Sequence, residues 1–490
     1  MKNRVEILLD NDENVQRPLC QHGPGVLFRK VSVDDVSGPY ADYYACSLHR
    51  DGKRCKFLVS RDVWARVENK EEINAKITAQ VREIMHKGVN RKAEDSIKGF
   101  RDFCQTCGEF LTKENIVKHK KHKILKDLTV KQVEEIRGHP SKYLELRENN
   151  KSEAQYIFND ETLNFLELMV KDLGFTNILC IGTPTLHATL LKSERIRSLL
   201  LDIDERYAGL FPPEHFAKFN MFNGYFFESP ENEEKLKRFL IKGEDDQIGI
   251  FLDPPFACRT ELLAQCIYNL GQISRQVNKN VPDILTIFLI LPYFMENYIN
   301  QDLPQLEMLD YKVSYVNHSV FRNESDAGRF GSPVRIFTNA LPSLIRLPKS
   351  EGYRECRKCR RWVSRENNHC PICRKCTSKN GGSYKHCNKC GICVKDFYKH
   401  CNSCDRCVQA FDHECGDYQR GASCWICRQR GHVEKNCSLS RKRGKRTSTR
   451  VCGICLKKNH SELICRQRKA ILKEDCFLGK FSISTENQFS

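Results

Sequence analysis

The stretch "DQIGIFLDPPF" at residues 246–256 runs through apolar residues and ends on an acid, two prolines and an aromatic residue. Proline cannot donate a ladder hydrogen bond, so the paired prolines end a strand at Asp253. The unbroken apolar run is typical of a strand buried on both of its faces. Asp253-Pro254-Pro255-Phe256 is therefore either a simple turn or a place where chemistry happens, and the neighbouring sequence decides between the two.

The runs around this stretch predict a sheet with helices between its strands. Further apolar runs occur at 176–182, 197–204 and 283–291, and the first of them breaks at Gly182 and resumes as a helix. Apolar strands that alternate with helices predict an α/β, Rossmann-like fold with a mostly parallel, doubly wound sheet. We expect residues 311–320 and 332–341 to close it as an antiparallel pair.

Three of the predicted strands end in groups that suit one ligand. Ligands of such sheets bind beyond the carboxyl ends of the strands. Gly182 would let the backbone approach a cofactor closely, and Asp202, with Asp204 as the nearby substitute, could accept hydrogen bonds from two ribose hydroxyls. Alone, Gly182 could simply turn the chain and Asp202 could cap a helix. Together these strand ends predict an S-adenosylmethionine site built from Ile181, Gly182, Thr183, Asp202, Asp204 and Asp253.

The stretch 253–256 resembles the (N/D)PP(F/Y/W) motif of class I methyltransferases, which methylate exocyclic or amide nitrogens. With Asp at the first position, the motif resembles that of the N6-adenine enzymes, since N2-guanine and glutamine enzymes usually carry Asn there. The Asp253 carboxylate and the Pro254 carbonyl, held in direction by Pro255, could accept both N–H bonds of an amino group, and Phe256 could stack on the base. We therefore predict that these four residues are catalytic and that the base is unpaired or flipped out.

The cysteines point to metal sites. The opening residues lack the apolar run of a signal peptide, so we expect the chain to stay inside the cell, where its 27 cysteines are kept reduced. Metal binding is then the default interpretation over disulfides. The longest apolar run, residues 284–294, is short and broken by Pro292, so no membrane partner is expected.

Two segments near the C-terminus share the spacing C-x2-C-x4-H-x4-C of the zinc knuckle, a module that grips single-stranded nucleic acid. They are "CWICRQRGHVEKNC" (424–437) and "CGICLKKNHSELIC" (452–465). Trp425 and adjoining basic residues favour RNA over protein, the alternative partner. The predicted ligands are Cys424, Cys427, His432 and Cys437 for one zinc and Cys452, Cys455, His460 and Cys465 for the other.

Residues 356–415 carry three copies of H-C-x2-C-x2-C, at 369–376, 386–393 and 400–407. The block resembles the cysteine-rich domain of DHHC palmitoyltransferases, but it lacks the DHHC tetrad and flanking membrane helices. We therefore expect a structural zinc module of up to four sites, whose pairing the spacing leaves open. Its candidate ligands are Cys356, Cys359, His369, Cys370, Cys373, Cys376, His386, Cys387, Cys390, Cys393, His400, Cys401, Cys404, Cys407, His413 and Cys415.

Two sparser clusters lie near the N-terminus. The segments 20–26, 43–50 and 54–59 resemble a GRF-type zinc finger with His in place of the second Cys; scattered cysteines of an ordinary fold are the alternative. Residues 104–122 resemble a C2H2 finger with slightly short intervals, which weakens a DNA-reading interpretation but not zinc binding. The predicted ligands are Cys20, His22, Cys46 and Cys55 for the first and Cys104, Cys107, His119 and His122 for the second.

The charge is concentrated in the C-terminal part. Residues 351–490 hold 31 Lys+Arg and 13 Asp+Glu, which accounts for the net charge of +18 of the whole chain, so a nucleic acid is the simplest partner. The predicted domains are a GRF-like finger (15–65), a helical segment with the C2H2-like finger (66–150), the methyltransferase domain (151–350), the DHHC-like module (351–418) and the knuckles (419–440 and 450–467).

The whole layout resembles the metazoan CCHC-type zinc-finger N6-adenosine methyltransferases of large-subunit ribosomal RNA. The resemblance implies 28S rRNA as substrate and the nucleolus of the nucleus as location. We further expect the zinc modules to bind and orient the RNA and to offer surfaces to protein partners, and we expect the cytoplasm as an additional location. The run "RKRGKR" (441–446) suits nuclear import or RNA contact. The alternatives are a non-catalytic RNA-binding adaptor with a relic methyltransferase fold, and an N2-guanine or glutamine methyltransferase.

Overall fold

The structure is a computed structural model that describes residues 3–9, 15–32, 41–48, 55–88, 102–112, 115–146, 155–228, 230–256, 258–279, 285–317, 331–409 and 415. Within these ranges, no helix combines the length and the apolar character that crossing a membrane requires.

Short antiparallel strands build the N-terminal modules. The elements are β1 (Asn3–Ile7), β2 (Leu19–Cys20), β3 (Gly23–Pro24), β4 (Val26–Ser32), β5 (Ala41–Ala45), β6 (Leu58–Ser60), α1 (Arg61–Ala65), α2 (Lys70–Gly88), β7 (Asp102–Cys104), β8 (Glu109–Leu111), β9 (Ile124–Leu125) and α3 (Val130–Gly138). Strands β1, β4, β5 and β6 form one sheet, and β7 to β9 form another. Helix α3 begins with a capping box in which Thr129 and Gln132 bond each other's backbone N–H groups.

The central domain alternates strands with helices. Its elements are α4 (Asp160–Asp172), β10 (Asn177–Ile181), α5 (Pro184–Leu190), β11 (Arg197–Asp202), β12 (Phe216–Asn220), β13 (Tyr225–Phe226), α6 (Glu231–Leu240), β14 (Ile248–Leu252), α7 (Thr260–Val277), β15 (Thr286–Pro292), α8 (Glu296–Asp302), β16 (Glu307–Met308) and β17 (Val334–Thr338). The sheet order is β13-β12-β11-β10-β14-β15-β17-β16, and β12, β11, β10, β14 and β15 run parallel. The predicted Rossmann-like fold is confirmed, with a mixed sheet whose antiparallel strands lie at its ends.

One expected pairing forms only in part. Strand β17 pairs with β15 and β16, and of the described residues 311–317 Val313 bonds it, with Val313 N donating to Val334 O at 3.1 Å. In the described residues 311–317, Tyr315 forms an isolated bridge with Phe158, and residues 318–320 lie outside the described part. Beyond Val313 the backbone bonds the segment in front of α4 instead, where Asn159 N donates to Ser314 O and Val316 N donates to Ile157 O.

The zinc modules extend the cores on both faces of the central sheet. Successive residues of a strand point to opposite faces, so Leu179 packs on one side of β10 and Ile178 on the other. The first core continues into Phe28 of the N-terminal module. The second continues into Phe103 of the C2H2-like module and Tyr353 of the C-terminal module. These modules are therefore packed against the sheet as parts of its hydrophobic cores.

In residues 353–409, the C-terminal module consists of four consecutive hairpins. They pair β18 (Tyr353–Cys356) with β19 (Arg361–Ser364), β20 (His369–Cys370) with β21 (Lys375–Cys376), β22 (Tyr384–Cys387) with β23 (Ile392–Lys395), and β24 (Tyr398–Cys401) with β25 (Arg406–Gln409). The first hairpin docks on the central domain. Asp310 Oδ2 accepts hydrogen bonds from Ser364 N at 2.8 Å and Asn367 Nδ2 at 2.7 Å, and Lys312 N donates to Tyr353 Oη at 2.9 Å.

Candidate active site

A cavity opens at the edge of the sheet where β10, β11, β12 and β14 end, as the parallel topology requires. The predicted residues Gly182, Asp202, Asp204 and Asp253 meet there, although up to 71 positions separate them in sequence. Ile181 and Thr183 flank Gly182, and Ile181 O accepts a hydrogen bond from Asp253 N at 3.1 Å. The lining residues are Leu48, Gln155, Tyr156, Gly182, Pro184, Asp202, Ile203, Asp204, Phe219, Asn220, Met221, Phe222, Asp253, Pro254 and Pro255.

Gly182 forms the floor of this cavity and leaves room that any side chain would fill. Its φ is +66°, in the left-handed region that favours glycine. A Cβ atom at this position would lie 3.1 Å from both Asp253 O and Met221 Cε. The backbone thus leaves space for the close approach of a ligand, and Gly182, Asp202 and Asp253 are the residues that would hold S-adenosylmethionine.

The two acids after β11 have different surroundings. Asp202 lines the cavity, and its Oδ1 accepts a hydrogen bond from Asp204 N at 2.9 Å. The carboxylate of Asp204 accepts hydrogen bonds from Arg206 Nη2 at 2.6 Å and from Gln155 Nε2 at 2.7 Å. Of the two predicted ribose acceptors, Asp202 is therefore the better placed.

Arg206 joins Asp204 to the C2H2-like module. Both side chains are almost fully buried, with 6% and 2% exposed, and Arg206 Nη1 donates to Glu145 O at 2.8 Å. We expect Arg206→Ala to lower the free energy of unfolding by about 3–5 kcal/mol, because the buried Asp204 carboxylate loses the positive charge that Arg206 places beside it. Denaturant unfolding measures this value. Lys237→Ala, which removes a partly exposed pair with Glu233, is the control and should cost less than about 1 kcal/mol; equal losses in both variants would contradict the argument.

Asp253 stands at the end of β14 with a hydrogen-bonded carboxylate. Tyr315 Oη donates to Asp253 Oδ1 at 2.9 Å. Burial raises the pKa of Asp253 well above its usual range, and the bond from Tyr315 acts in the opposite direction. When ionised, the carboxylate is a strong acceptor in a low-dielectric cavity.

Aromatic rings surround this carboxylate. Tyr156 and Phe256 stack with their centroids 5.2 Å apart and their planes 16° apart, and Tyr315 meets Phe256 edge-on at 6.0 Å. The DPPF motif predicts Phe256, whereas Tyr156 and Tyr315 are not predicted from the sequence. Both lie in extended segments without a motif, and long-range backbone pairing of 157 with 316 brings them together.

The GRF-like module closes one wall of the cavity. Leu48 lines the cavity two residues after the predicted ligand Cys46. Asn220 Nδ2, at the end of β12, donates to His22 O at 2.8 Å and to Ser47 Oγ at 3.0 Å. The conformation around this predicted zinc site therefore bears directly on the cavity.

The structure brings the predicted zinc ligands together in groups whose donor atoms all lie within 4.8 Å of one another. Cysteine thiolates and histidine nitrogens in fours are the donor sets of tetrahedral zinc, so the groups fit this metal. Five of these groups are Cys20, His22, Cys46 and Cys55; Cys104, Cys107, His119 and His122; Cys356, Cys359, His369 and Cys376; Cys370, Cys373, His386 and Cys393; and Cys387, Cys390, His400 and Cys407.

The register of the hairpins explains which Cys and His residues share a zinc site, an assignment that the spacing left open. Each repeat places its His opposite its last Cys across the hairpin, as in His386↔Cys393 and His400↔Cys407. This pair completes the site begun by the preceding C-x2-C turn. The Cys that follows the His points to the other side of the strand and opens the next site. The sites therefore interlock along the chain.

The end of the module continues the same pattern. Cys401 Sγ lies 3.5 Å from Cys415 Sγ, and hydrogen bonds with Cys401 and Cys404 raise the pKa of Cys415 to about 11. The remaining predicted ligands, His413 and the eight residues of the two knuckles (424–437 and 452–465), lie outside the described residues.

Comparison with known proteins agrees with this site. A family model described as "Probable N6-adenine methyltransferase" matches residues 149–337. The rRNA N(6)-adenosine-methyltransferase ZCCHC4 of Homo sapiens is 37% identical over 380 residues, which cover 74% of this chain and 72% of the relative. Its namesakes from Mus musculus (38% over 392 residues, covering 74% and 72%) and Xenopus laevis (37% over 375 residues, covering 74% and 75%) match similarly.

The predicted resemblance and its cofactors follow from these matches. Enzymes of this kind use S-adenosylmethionine, for which the cavity between Gly182 and Asp253 is suited, and the Cys/His groups suit zinc. The identity and the coverage lie far above what chance produces, and the family model spans the DPPF strand. The chain belongs to the family of the rRNA N(6)-adenosine-methyltransferases ZCCHC4.

Proposed function

We propose that this chain transfers the methyl group of S-adenosylmethionine to N6 of an adenosine in 28S ribosomal RNA. The observation that carries the proposal is the Asp253 carboxylate, fixed at a strand end beside the cofactor cavity and bordered by stacked rings. Family membership supports the reaction, and the basic C-terminal part supports an RNA substrate.

The reaction requires a poorly nucleophilic nitrogen to be oriented towards the methyl group. The lone pair of an adenine amino group is delocalised into the ring, so the nitrogen is a poor nucleophile. S-adenosylmethionine supplies an electrophilic methyl group when bound. Asp253 and the carbonyl of Pro254 accept the two N–H bonds and turn the nitrogen towards that methyl group. Positive charge that develops on the nitrogen is stabilised by the carboxylate, which can then accept the departing proton.

In this proposal Phe256 stacks on the base, and its ring in turn stacks on Tyr156, which lines the cavity. Stacking of a base on an aromatic side chain contributes about 1–3 kcal/mol, so we expect Phe256→Ala to lower kcat/KM by roughly 10- to 100-fold. Tyr156→Ala should lower it less, because it removes the ring that supports Phe256. Steady-state kinetics with RNA measure both. Tyr268→Ala, an aromatic residue 45% exposed on α7, is the control, and an equal loss in that variant would contradict the base-stacking role.

The zinc modules are proposed to bind and orient the RNA. In the C-terminal hairpins, exposed basic side chains follow one another along the chain, among them Arg357, Lys358, Arg365, Arg374 and Lys375. Contacts of this kind with phosphates make binding salt-dependent and insensitive to sequence. We further propose a nuclear and nucleolar location, supported by the basic run at 441–446, and docking of protein partners on the zinc modules.

The RNA substrate is tested by labelling. Purified protein is incubated with S-adenosylmethionine carrying a tritiated methyl group and total RNA from cells that lack this protein, and the RNA is separated by size. We expect label in the 28S band. Label confined to transfer RNA, to 18S rRNA or to protein would overturn the proposed substrate, and no transfer at all would favour the non-catalytic adaptor.

A further inference from the structure

We infer that Tyr315 is a positioning residue for the methyl transfer: its hydroxyl group holds one carboxylate oxygen of Asp253, so that the other oxygen faces the amino group of the base. The inference rests on the proposed function, because it assigns Tyr315 a task in the same reaction. Its basis is a contact between two segments that lie 62 positions apart in sequence.

The hydroxyl of Tyr315 donates a hydrogen bond to one oxygen of Asp253. Tyr315 Oη lies 2.9 Å from Asp253 Oδ1, a normal length for an O–H···O bond. A carboxylate accepts on both oxygens, so this bond leaves Oδ2 available to a second donor. An aspartate has only two side-chain torsions, and holding one of its oxygens sets the direction of the other.

The ring of Tyr315 is held as firmly as its hydroxyl. The side chain is 5% exposed, and the ring stacks on Phe158 with centroids 5.2 Å apart and planes 27° apart. Tyr156 packs against it at a centroid distance of 5.5 Å. The side chain therefore has little room to rotate away from Asp253.

The backbone that carries Tyr315 is tied to the segment in front of α4. Val316 N donates to Ile157 O at 2.8 Å. Asn317 bonds the same segment twice, since its Oδ1 accepts from Ile157 N at 2.8 Å and its Nδ2 donates to Gln155 O at 2.7 Å. These bonds make the position of the hydroxyl group a property of the fold rather than of one flexible side chain.

The same bond affects the charge of Asp253. Burial raises the pKa of the carboxyl group, and the Tyr315 hydroxyl opposes this by stabilising the ionised form. Only the ionised form accepts on both oxygens at once, from Tyr315 on one and from the amino group on the other, so the rate should rise with pH as Asp253 loses its proton. Without the hydroxyl, a higher pH is needed to reach the same ionised fraction.

Tyr315→Phe tests the inference, because it removes the hydroxyl and keeps the ring. We expect kcat at neutral pH to fall by about tenfold and the acid limb of the pH–rate profile to move up by about one unit, while KM for S-adenosylmethionine stays near its wild-type value. Tyr311→Phe is the matched control. Tyr311 is buried on the same segment and hydrogen-bonds Thr162, so its loss should leave the acid limb in place.

A second measurement does not depend on catalysis. Thermal melting of Tyr315→Phe, Asp253→Ala and the double variant forms a cycle in which the two changes should be non-additive if the bond exists. A wild-type acid limb and additive melting in the variants would overturn the inference. Non-additive melting in a protein that methylates no adenosine would instead leave the Tyr315–Asp253 bond standing and remove the proposed function.

Discussion

Asp253→Ala is expected to lower kcat by roughly 100- to 1000-fold, the usual loss when one preorganised electrostatic group is removed from an active site. The variant keeps Pro254 and the cavity but no longer accepts an N–H bond of the amino group on a carboxylate. Because the zinc modules do not change, the dissociation constant for RNA should stay near its wild-type value. Asp253 is one of several residues that line the cavity, so the dissociation constant for S-adenosylmethionine should change far less than kcat. Single-turnover rates and equilibrium binding separate the two effects.

Asp253→Asn is the informative companion. Its amide oxygen can still accept one N–H bond, so its rate should lie between those of wild type and Asp253→Ala. Because burial raises the pKa of Asp253 in the folded protein, its ionised form destabilises the fold, and this penalty grows as pH rises towards the raised pKa. Above that pH the uncharged Asp253→Asn variant should melt at a higher temperature than wild type. Full activity in Asp253→Ala would exclude Asp253 from the mechanism.

Removing the first C-terminal zinc site with Cys356→Ser and Cys359→Ser is expected to reduce both stability and kcat. These ligands close the turn of the hairpin that bonds Asp310 and Lys312, three to five residues before Tyr315. Structural zinc contributes about 10–16 kcal/mol to the folding of isolated fingers, so the hairpin should not form without it. We expect kcat to fall by roughly tenfold or more as Tyr315 loses its support.

The comparison variant is Cys401→Ser with Cys404→Ser, in the fourth hairpin along the chain. It should raise KM for RNA and leave kcat at saturating RNA close to wild type. Bound zinc, the melting temperature and the kinetic constants are measured on all three proteins. An unchanged kcat in the first pair, or equal kcat losses in both pairs, would contradict a support role for the first hairpin.

Local sequence patterns predicted the part of the site that lies at the strand ends. Apolar runs give the strands, parallel topology places their carboxyl ends at one edge, and Gly182, Asp202 and Asp253 therefore meet. Tyr156 and Tyr315 were not predictable in the same way. Their segments have no periodicity, and they meet through a few bonds between residues about 160 positions apart.

The zinc module shows a different limit. Its ligands follow from spacing, but the assignment of each ligand to a metal depends on hairpin register, which decides the side of the strand to which each Cys points. Asp204 is a third case. Its position after a strand is typical of a ribose acceptor. In the structure its carboxylate instead accepts hydrogen bonds from Arg206, two residues later in the chain, and from Gln155, which precedes α4.

The most direct test is to identify the methylated nucleoside. Purified protein is incubated with 28S rRNA and S-adenosylmethionine that bears a trideuterated methyl group. The RNA is then digested to nucleosides, which are separated and identified by mass spectrometry. We predict trideuterated N6-methyladenosine with the wild-type protein and its near-complete loss with Asp253→Ala. Trideuterated N2-methylguanosine, or a label found only on protein glutamine, would contradict adenine N6 methylation by this site.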